Sequence, residues 1–288
     1  MLQAAARAPN LLRDATDQVG DFVRGRLNDD GGFANRDGPS DLYYTIFGLG
    51  CFAALGLDLP ADRVRRYLLT FDDGASLDLV HLTCLARAWA YLPEGLPPDP
   101  CRSRLIDRIE GYRSLDGGYH ATPGHDQGTI YGCFLAWGAY QDLRAEVVEG
   151  DRLADCIAAL RADDGGYANG PAMSVGLTPP TAAAAMLMRE LDLPLPAGLD
   201  DWLLARCRPE GGFFATPAAP IPDLLSTATA LHALAVIGVS LEPVREVCLD
   251  FLDSLWTGRG GFHGSWTDDH LDCEYTFYGL LALGHLSA

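Results

Sequence analysis

The chain has 288 residues, 48% of which are hydrophobic, and a formal net charge of −18. An acidic chain of this kind is a poor partner for nucleic acid and for anionic membrane surfaces. It contains no run of 18 apolar residues, so we expect no membrane span, and Met1 to Asn10 lacks the basic and apolar regions of a secretory signal.

A short phrase with a double glycine returns six times along the chain, usually between an acidic residue and an aromatic one. The first glycines of successive copies are 43, 43, 48, 46 and 49 residues apart. A period of about 45 residues is typical of repeat architectures. The copies are Asp30 to Phe33, Asp73 to Ser76, Asp116 to Tyr119, Asp164 to Tyr167, Glu210 to Phe213 and Arg259 to Phe262. The second copy has lost its second glycine and its aromatic residue.

Each repeat is predicted to contain two helices. The stretch after the glycines is strongly apolar, as from Leu42 to Leu55 and from Asp223 to Ile237, and the stretch before them is amphipathic, as from Val147 to Arg161. Apolar residues recur every three or four positions in both halves. We expect the glycines to end the amphipathic helix, because glycine tolerates the left-handed conformation. Six such pairs predict one all-α domain, residues 1–288, folded as an (α/α)6 toroid of twelve helices in two concentric rings.

Eight cysteines are spread over the apolar and amphipathic stretches, and none belongs to a Cys-x-x-Cys pair. We interpret them as buried thiols of a protein in a reducing cytoplasm. All 21 basic residues are arginine, which we associate with a GC-rich bacterial genome. The sequence therefore predicts a bacterial, cytoplasmic protein.

The segment from Gly31 to Gly48 closely resembles a repeat of the protein prenyltransferase β subunits. It reads GGFANRDGPSDLYYTIFG. Those subunits share an α/α toroid with the squalene and terpenoid cyclases, and the glycine phrase resembles this superfamily over all six repeats. The resemblance implies an isoprenoid-processing enzyme with a central apolar cavity for a prenyl or prenyl diphosphate substrate. It leaves open whether the reaction is transfer or cyclisation, and whether an α-type partner subunit exists.

The transferase chemistry of that family uses zinc, held by an Asp-x-Cys-Tyr motif and a histidine of the next repeat. Here the segment from Asp41 to Tyr44 keeps the Asp and the Tyr but has Tyr43 in the Cys position. His81 fits the family's His position, and Arg36 resembles the family's diphosphate-binding arginine. Zinc is therefore expected only with an incomplete ligand set, whose candidates are Asp41, His81, Asp272 and Cys273.

The cyclase chemistry of the superfamily uses an Asp-x-Asp-Asp-Thr motif, whose middle acid protonates an alkene or epoxide. The segment from Asp272 to Thr276 keeps a carboxylate, Glu274, at the middle position. Glu274 is thus the best candidate for an acid, with Asp272 as its partner, because a helix start and a neighbouring carboxylate both affect ionisation. Magnesium with a diphosphate substrate is an alternative, although the chain has no Asp-Asp-x-x-Asp motif.

Aromatic residues on the apolar helices are expected to line the cavity and to stabilise a carbocation. The predicted substrate-binding residues are Arg36, Tyr43, Tyr44, Phe47, Tyr131, Trp137, Tyr275 and Tyr278. The alanine-rich stretch after Pro180 would leave room for a substrate.

Structural roles are open for the same residues. Asp41 and Asp272 are also good helix caps, His81 can be a core histidine, and the aromatic residues can be ordinary core. Two other functions stay open with them. One is a noncatalytic toroid that binds a lipid or a protein. The other is a carbohydrate-active α/α barrel with paired carboxylates drawn from Asp41, Asp78, Asp126, Asp272 and Glu274.

Overall fold

Helices dominate the computed structural model, which describes residues 1–93 and 95–287. The six amphipathic helices are α3 (Ala15–Arg24), α5 (Ala61–Leu69), α7 (Asp99–Glu110), α9 (Gly150–Ala159), α11 (Leu199–Leu204) and α13 (Arg245–Leu255). The six apolar helices are α4 (Leu42–Ala54), α6 (Leu79–Ala90), α8 (Ile130–Asp142), α10 (Thr178–Glu190), α12 (Leu224–Val236) and α14 (Cys273–Leu286). The predicted alternation of six helix pairs is confirmed.

Two short helices, α1 (Leu2–Ala5) and α2 (Pro9–Leu12), precede the first pair. The only strands in the described residues are β1 (Phe33–Ala34) and β2 (Ser40–Asp41), which form an antiparallel hairpin. No helix in the described part of the chain has both the length and the apolar character that crossing a membrane requires.

The chain divides into two compact units. The first contains residues 1–29, residues 33–59 and the chain from Pro196 onward, and there α14 packs against both α12 and α4. The last repeat therefore contacts the first one, as the repeat pattern predicts. The second unit contains Asp30–Gly32 and Pro60–Leu195, and there α8 packs between α6 and α10.

The double glycine does not end the amphipathic helix, so that prediction is wrong. Helix α3 ends at Arg24 and α7 at Glu110, in each case several residues before the glycines. The phrase instead forms a tight turn, closed by backbone pairing of Leu27 with Phe33 and of Arg113 with Tyr119. The first glycine of all five intact copies has a φ between +88° and +102°, a conformation that favours glycine.

The same glycine lets the next repeat approach closely. A β-carbon on Gly117 would overlap Arg152 of α9, and one on Gly211 would overlap the carbonyl oxygen of Val247 in α13. One on Gly260 would overlap the carbonyl oxygen of Gln18 in α3. These turns thus pack on the amphipathic helix of the following repeat, and the last turn packs on that of the first.

Buried threonines tie the aromatic residue of the phrase to the following apolar helix. The backbone N–H of Phe33 donates to Thr45 Oγ1 at 2.9 Å, and that of Phe213 donates to Thr227 Oγ1 at 2.9 Å. Tyr167 makes the equivalent bond in the second unit. Satisfying the buried N–H in this way fixes where these three apolar helices begin relative to their turns.

A cavity lies beside the degenerate second copy of the glycine phrase, in the second unit. A cavity of about 590 Å³ lies beside Gly74 and Ala75, next to the position where the other copies have their aromatic residue. Arg104 and Arg108 of α7 line it, and both are ion-paired with Asp73. Loss of the aromatic side chain thus accompanies a cavity that both charged and apolar residues line.

Replacing Gly260 by alanine should destabilise the protein far more than replacing Gly238. The two glycines have nearly the same φ, +88° and +86°, but the space around Gly238 is open. The conformational penalty, about 1–2 kcal/mol, is therefore shared. The overlap with Gln18 should add at least about 2 kcal/mol to G260A. Urea unfolding of both variants checks this, and equal losses would contradict the packing role of the turn.

Candidate functional site

Glu274 lies in the first turn of α14 and is 9% exposed. Its Oε1 accepts a hydrogen bond of 2.5 Å from the Tyr43 hydroxyl, on the first turn of α4. Burial raises the pKa of Glu274 to about 7, and the charge on Asp272 adds to the increase, whereas the Tyr43 hydroxyl lowers it. Near neutral pH this side chain is therefore divided between its acid and its carboxylate form.

Asp272 begins the same helix and is completely buried. One oxygen, Oδ1, accepts from the backbone N–H of Tyr275 at 2.9 Å, and the other accepts from Arg36 Nε at 2.8 Å. The carboxylate is thus a helix cap and an ion-pair partner at once. We call Arg36, Tyr43, Asp272 and Glu274 the Glu274 cluster.

The Arg36 guanidinium is held by two carboxylates. Besides Asp272, it donates to Asp268 Oδ2 at 3.0 Å, and it lies over the Tyr275 ring with 5.5 Å between its central carbon and the ring centroid. Because Arg36 is already paired with both carboxylates, a diphosphate would have to compete with Asp272 and Asp268 for the guanidinium.

Aromatic rings continue from the cluster along α4 and α14. Tyr43 meets Phe47 edge to face with the ring centroids 5.1 Å apart, and Phe47 lies 5.4 Å from Tyr278. Tyr44 stands beside Tyr43, and burial raises the pKa of Tyr44 and raises that of Tyr275 to about 12. Both phenols are therefore neutral hydrogen-bond donors over the physiological range of pH.

The other predicted residues have different surroundings. Asp41 caps α4 through the N–H groups of Tyr43 and Tyr44. His81, Tyr131 and Trp137 all belong to the second unit.

In that unit, His81 Nδ1 lies 2.7 Å from Asp78, the cap of its own helix. Tyr131 is 43% exposed, and the buried Trp137 indole N–H has no hydrogen-bond partner among the described residues.

The residues present do not fit a zinc site. Both oxygens of Asp272 are occupied, and the Arg36 cation beside it disfavours a second cation. Cys273 is fully buried, and burial raises the pKa of its thiol, whereas zinc needs the thiolate. Within the described residues, no three His, Cys, Asp or Glu side chains converge on one point.

Sequence reasoning missed Asp268 and a buried histidine pair. Asp268 belongs to no motif of the sequence, yet it is the second partner of Arg36. His232 Nδ1 lies 2.8 Å from His285 Nε2, between α12 and α14, and burial lowers the two pKa values to about 3 and about 4. The sequence signal for such a pair is one histidine on the buried face of each of two neighbouring apolar helices.

Comparison with known proteins identifies the repeats. A family model described as the prenyltransferase alpha-alpha toroid domain matches residues 101–213 and 181–287. No curated protein gives a significant sequence match.

Several solved structures share the fold. MstE, a type II terpene cyclase from Scytonema, matches in complex with its product merosterolic acid A at a TM-score of 0.68 and 13% identity, over 97% of both chains. Protein geranylgeranyltransferase-I from Candida albicans, complexed with GGPP, matches with a TM-score of 0.54 and 14% identity, over 99% of this chain and 81% of that one. A polysaccharide lyase matches with a TM-score of 0.53 and 12% identity, over 95% and 96%. At these identities the likeness shows the fold alone.

Replacing Arg36 by glutamine should be strongly destabilising. The change leaves the fully buried Asp272 carboxylate without its cation, which costs on the order of 3 kcal/mol. Arg24 supplies a matched control, because its ion pair with Asp21 is exposed on both sides and R24Q should change stability by less than about 0.5 kcal/mol. Chemical denaturation compares the two variants. A small loss of stability in R36Q would contradict the importance of the Arg36–Asp272 ion pair.

Glu274 should make the protein less stable as the pH rises. Its folded pKa, about 7, lies above the unfolded value of about 4.3, so the folded state binds more protons between these limits and stability falls with increasing pH there. E274Q lacks this titration. The free energy of unfolding of E274Q, relative to that of wild type, should therefore increase by on the order of 2 kcal/mol between pH 5 and pH 8. The buried histidines titrate alike in both proteins and cancel in the difference. A difference that stays constant with pH would mean that Glu274 is already ionised.

Proposed function

Because the chain belongs to the prenyltransferase alpha-alpha toroid family, we propose that it is an isoprenoid-processing enzyme that cyclises a linear prenyl chain by protonating it. The observation that supports this most directly is the buried Glu274, whose pKa of about 7 keeps a large share of the molecules protonated at neutral pH. A general acid has to be protonated before the substrate reacts, and a carboxyl group with an ordinary pKa would not be.

The proposed first step moves one proton. Glu274 Oε1 accepts from Tyr43, so we assign the transferable proton to Oε2. That proton adds to the terminal double bond or epoxide of the prenyl chain, whose electron pair forms the new bond to hydrogen. The cation left on the chain is attacked by the next double bond, which closes a ring. Loss of a proton from the final cation gives a product that is an isomer of the substrate.

Tyr43 and Asp272 would have opposite effects on the pKa of Glu274. The negative charge of Asp272 favours the protonated acid before reaction, and the Tyr43 hydroxyl stabilises the carboxylate that forms when the proton leaves. Arg36 holds Asp272 in place at 2.8 Å. In this scheme Tyr43, Asp272 and Arg36 are positioning residues, and Glu274 is the catalytic residue.

The aromatic rings that follow the cluster suit a cationic intermediate. Phe47, Phe277 and Tyr278 are all buried, and the faces of their rings offer negative charge density to a carbocation. The proposed substrate class is therefore a linear polyprenyl compound, bound along these rings.

Transfer is the less favoured reaction. Thiol prenylation in the family depends on zinc, and the residues of this chain do not fit a zinc site. Arg36, the residue that resembles the diphosphate-binding arginine, is already paired with two carboxylates.

The reaction can be tested with two probes that share a prenyl chain and differ in head group, geranylgeranyl diphosphate and geranylgeranyl dihydroxybenzoate. The second of these is the substrate held by one of the MstE structures. Incubation in D₂O should give a product isomeric with the probe that carries one added deuterium, detected by mass spectrometry. Release of diphosphate in the presence of a thiol acceptor would instead establish transfer, and no turnover of either probe would overturn the enzymatic proposal.

Changing Glu274 to glutamine should lower kcat by on the order of 100-fold or more, because the amide keeps the shape and has no acidic proton. Y43F should lower it by roughly tenfold through the lost hydrogen bond. Glu246 is exposed, so E246Q serves as the control and should keep the wild-type rate. If E274Q turns the probe over at the wild-type rate, Glu274 is a structural residue and cyclisation by this acid is wrong.

The rate of the wild-type enzyme should fall as the pH rises through about 7. The active form of Glu274 is the protonated one, and its pKa of about 7 sets the midpoint. A profile of kcat/KM from pH 5 to pH 9 measures this, because that ratio reports the pKa of the free enzyme. A rate that rises through the same range would show that the carboxylate form is the active one.

A further inference from the structure

Two cysteines of neighbouring repeats meet in the first unit. Cys207 follows helix α11 and pairs with Phe213 at the base of the fifth glycine turn, and Cys248 lies in helix α13. Their sulfur atoms are 3.9 Å apart, in van der Waals contact. A disulfide would bring the two sulfurs to about 2.05 Å.

A second pair in the chain has the same separation but different access. Cys133 of α8 and Cys156 of α9 have sulfurs 4.0 Å apart, with the two residues 0% and 2% exposed. In the Cys207–Cys248 pair, Cys248 is likewise buried, but Cys207 is partly exposed. Of these two pairs, only Cys207–Cys248 includes a residue that is partly exposed to solvent.

We propose that Cys207 and Cys248 form an oxidisable dithiol that closes to a disulfide on meeting a small-molecule disulfide such as oxidised glutathione. This modification is independent of the proposed function, because neither cysteine belongs to the Glu274 cluster.

The exchange balances in two steps. The Cys207 thiolate attacks one sulfur of oxidised glutathione, which forms a mixed disulfide and expels one glutathione thiolate. The Cys248 thiol then attacks the Cys207 sulfur, and the glutathione thiolate that is expelled takes up the proton of Cys248. Two protein thiols are oxidised to one disulfide, and one glutathione disulfide is reduced to two thiols.

The surroundings assign the attacking role to Cys207. The contact with the Cys248 thiol lowers the pKa of Cys207, which increases its thiolate fraction. Cys248 is out of reach of the oxidant, but it lies in contact with the sulfur that it has to attack. Cys101 is partly exposed as well, but burial and the nearby Asp73 charge raise its pKa.

Closure would join two repeats covalently where they already pack closely. Gly211, four residues after Cys207, rests on the carbonyl of Val247, the residue before Cys248. The disulfide would restrict the unfolded chain across 41 residues of sequence. The oxidised protein should therefore melt at a temperature higher by roughly 5 °C or more.

The test treats the reduced full-length protein with excess oxidised glutathione, removes the reagent, and measures intact mass, peptide linkage and melting temperature. Wild type should lose about 2 Da and give a peptide that links Cys207 to Cys248. C248S should stop at a glutathione adduct on Cys207, because the second thiol is missing. C207S should form neither the adduct at this site nor the link.

The buried pair supplies the control. The C133S/C156S double variant should form the Cys207–Cys248 link as wild type does. No loss of mass in wild type, or a link that maps to Cys133 and Cys156, would overturn the proposal. So would a C248S variant in which Cys207 stays unmodified, even if another cysteine reacts, because Cys207 would then not be the attacking thiol.

Discussion

Close backbone contact at the glycine turns is the constraint on which the two units depend. A β-carbon at Gly117, Gly211 or Gly260 would overlap the amphipathic helix of the next repeat. The close spacing of those repeats therefore requires glycine at these positions. The turns also carry the buried N–H groups that pair with Thr45, Thr181 and Thr227. The start of these apolar helices, and with it any functional group on the first turn, is thereby placed by the turn before it.

The first turn of α14 shows what that placement does chemically. Asp272 and Glu274 are two residues apart and both are buried, yet their surroundings differ. Asp272 has a backbone N–H and the Arg36 cation as partners, whereas Glu274 accepts a hydrogen bond from the Tyr43 hydroxyl. A single helix start thus holds one carboxyl group as a paired anion and leaves its neighbour with a raised pKa, which is the arrangement that acid catalysis uses.

The residues of the Glu274 cluster could be predicted from the sequence, because the motif at the start of a helix consists of residues that are close together in the chain. The resemblance of the residues from Gly31 to Gly48 to a prenyltransferase repeat led to Arg36 and Tyr43, and the carboxylates of the last repeat were found from the cyclase pattern. The contact between them joins residues more than 230 positions apart, so no local pattern could reveal it. The same holds for Asp268, whose pairing with Arg36 gives a role to a residue that looks like part of an ordinary charged turn.

The sequence by itself determined the repeat, the helix pairs and the all-α class, because period and amphipathicity are properties of a chain read in order. It did not determine what the double glycine does, since a glycine that ends a helix and one that admits a neighbouring helix look alike. Only the tertiary structure decided that the amphipathic helices α3 and α7 stop earlier and that the glycines serve a turn and a close contact. It also decided that Glu274 has a raised pKa and that Cys207 meets Cys248, because burial and distance depend on which repeats come together in space.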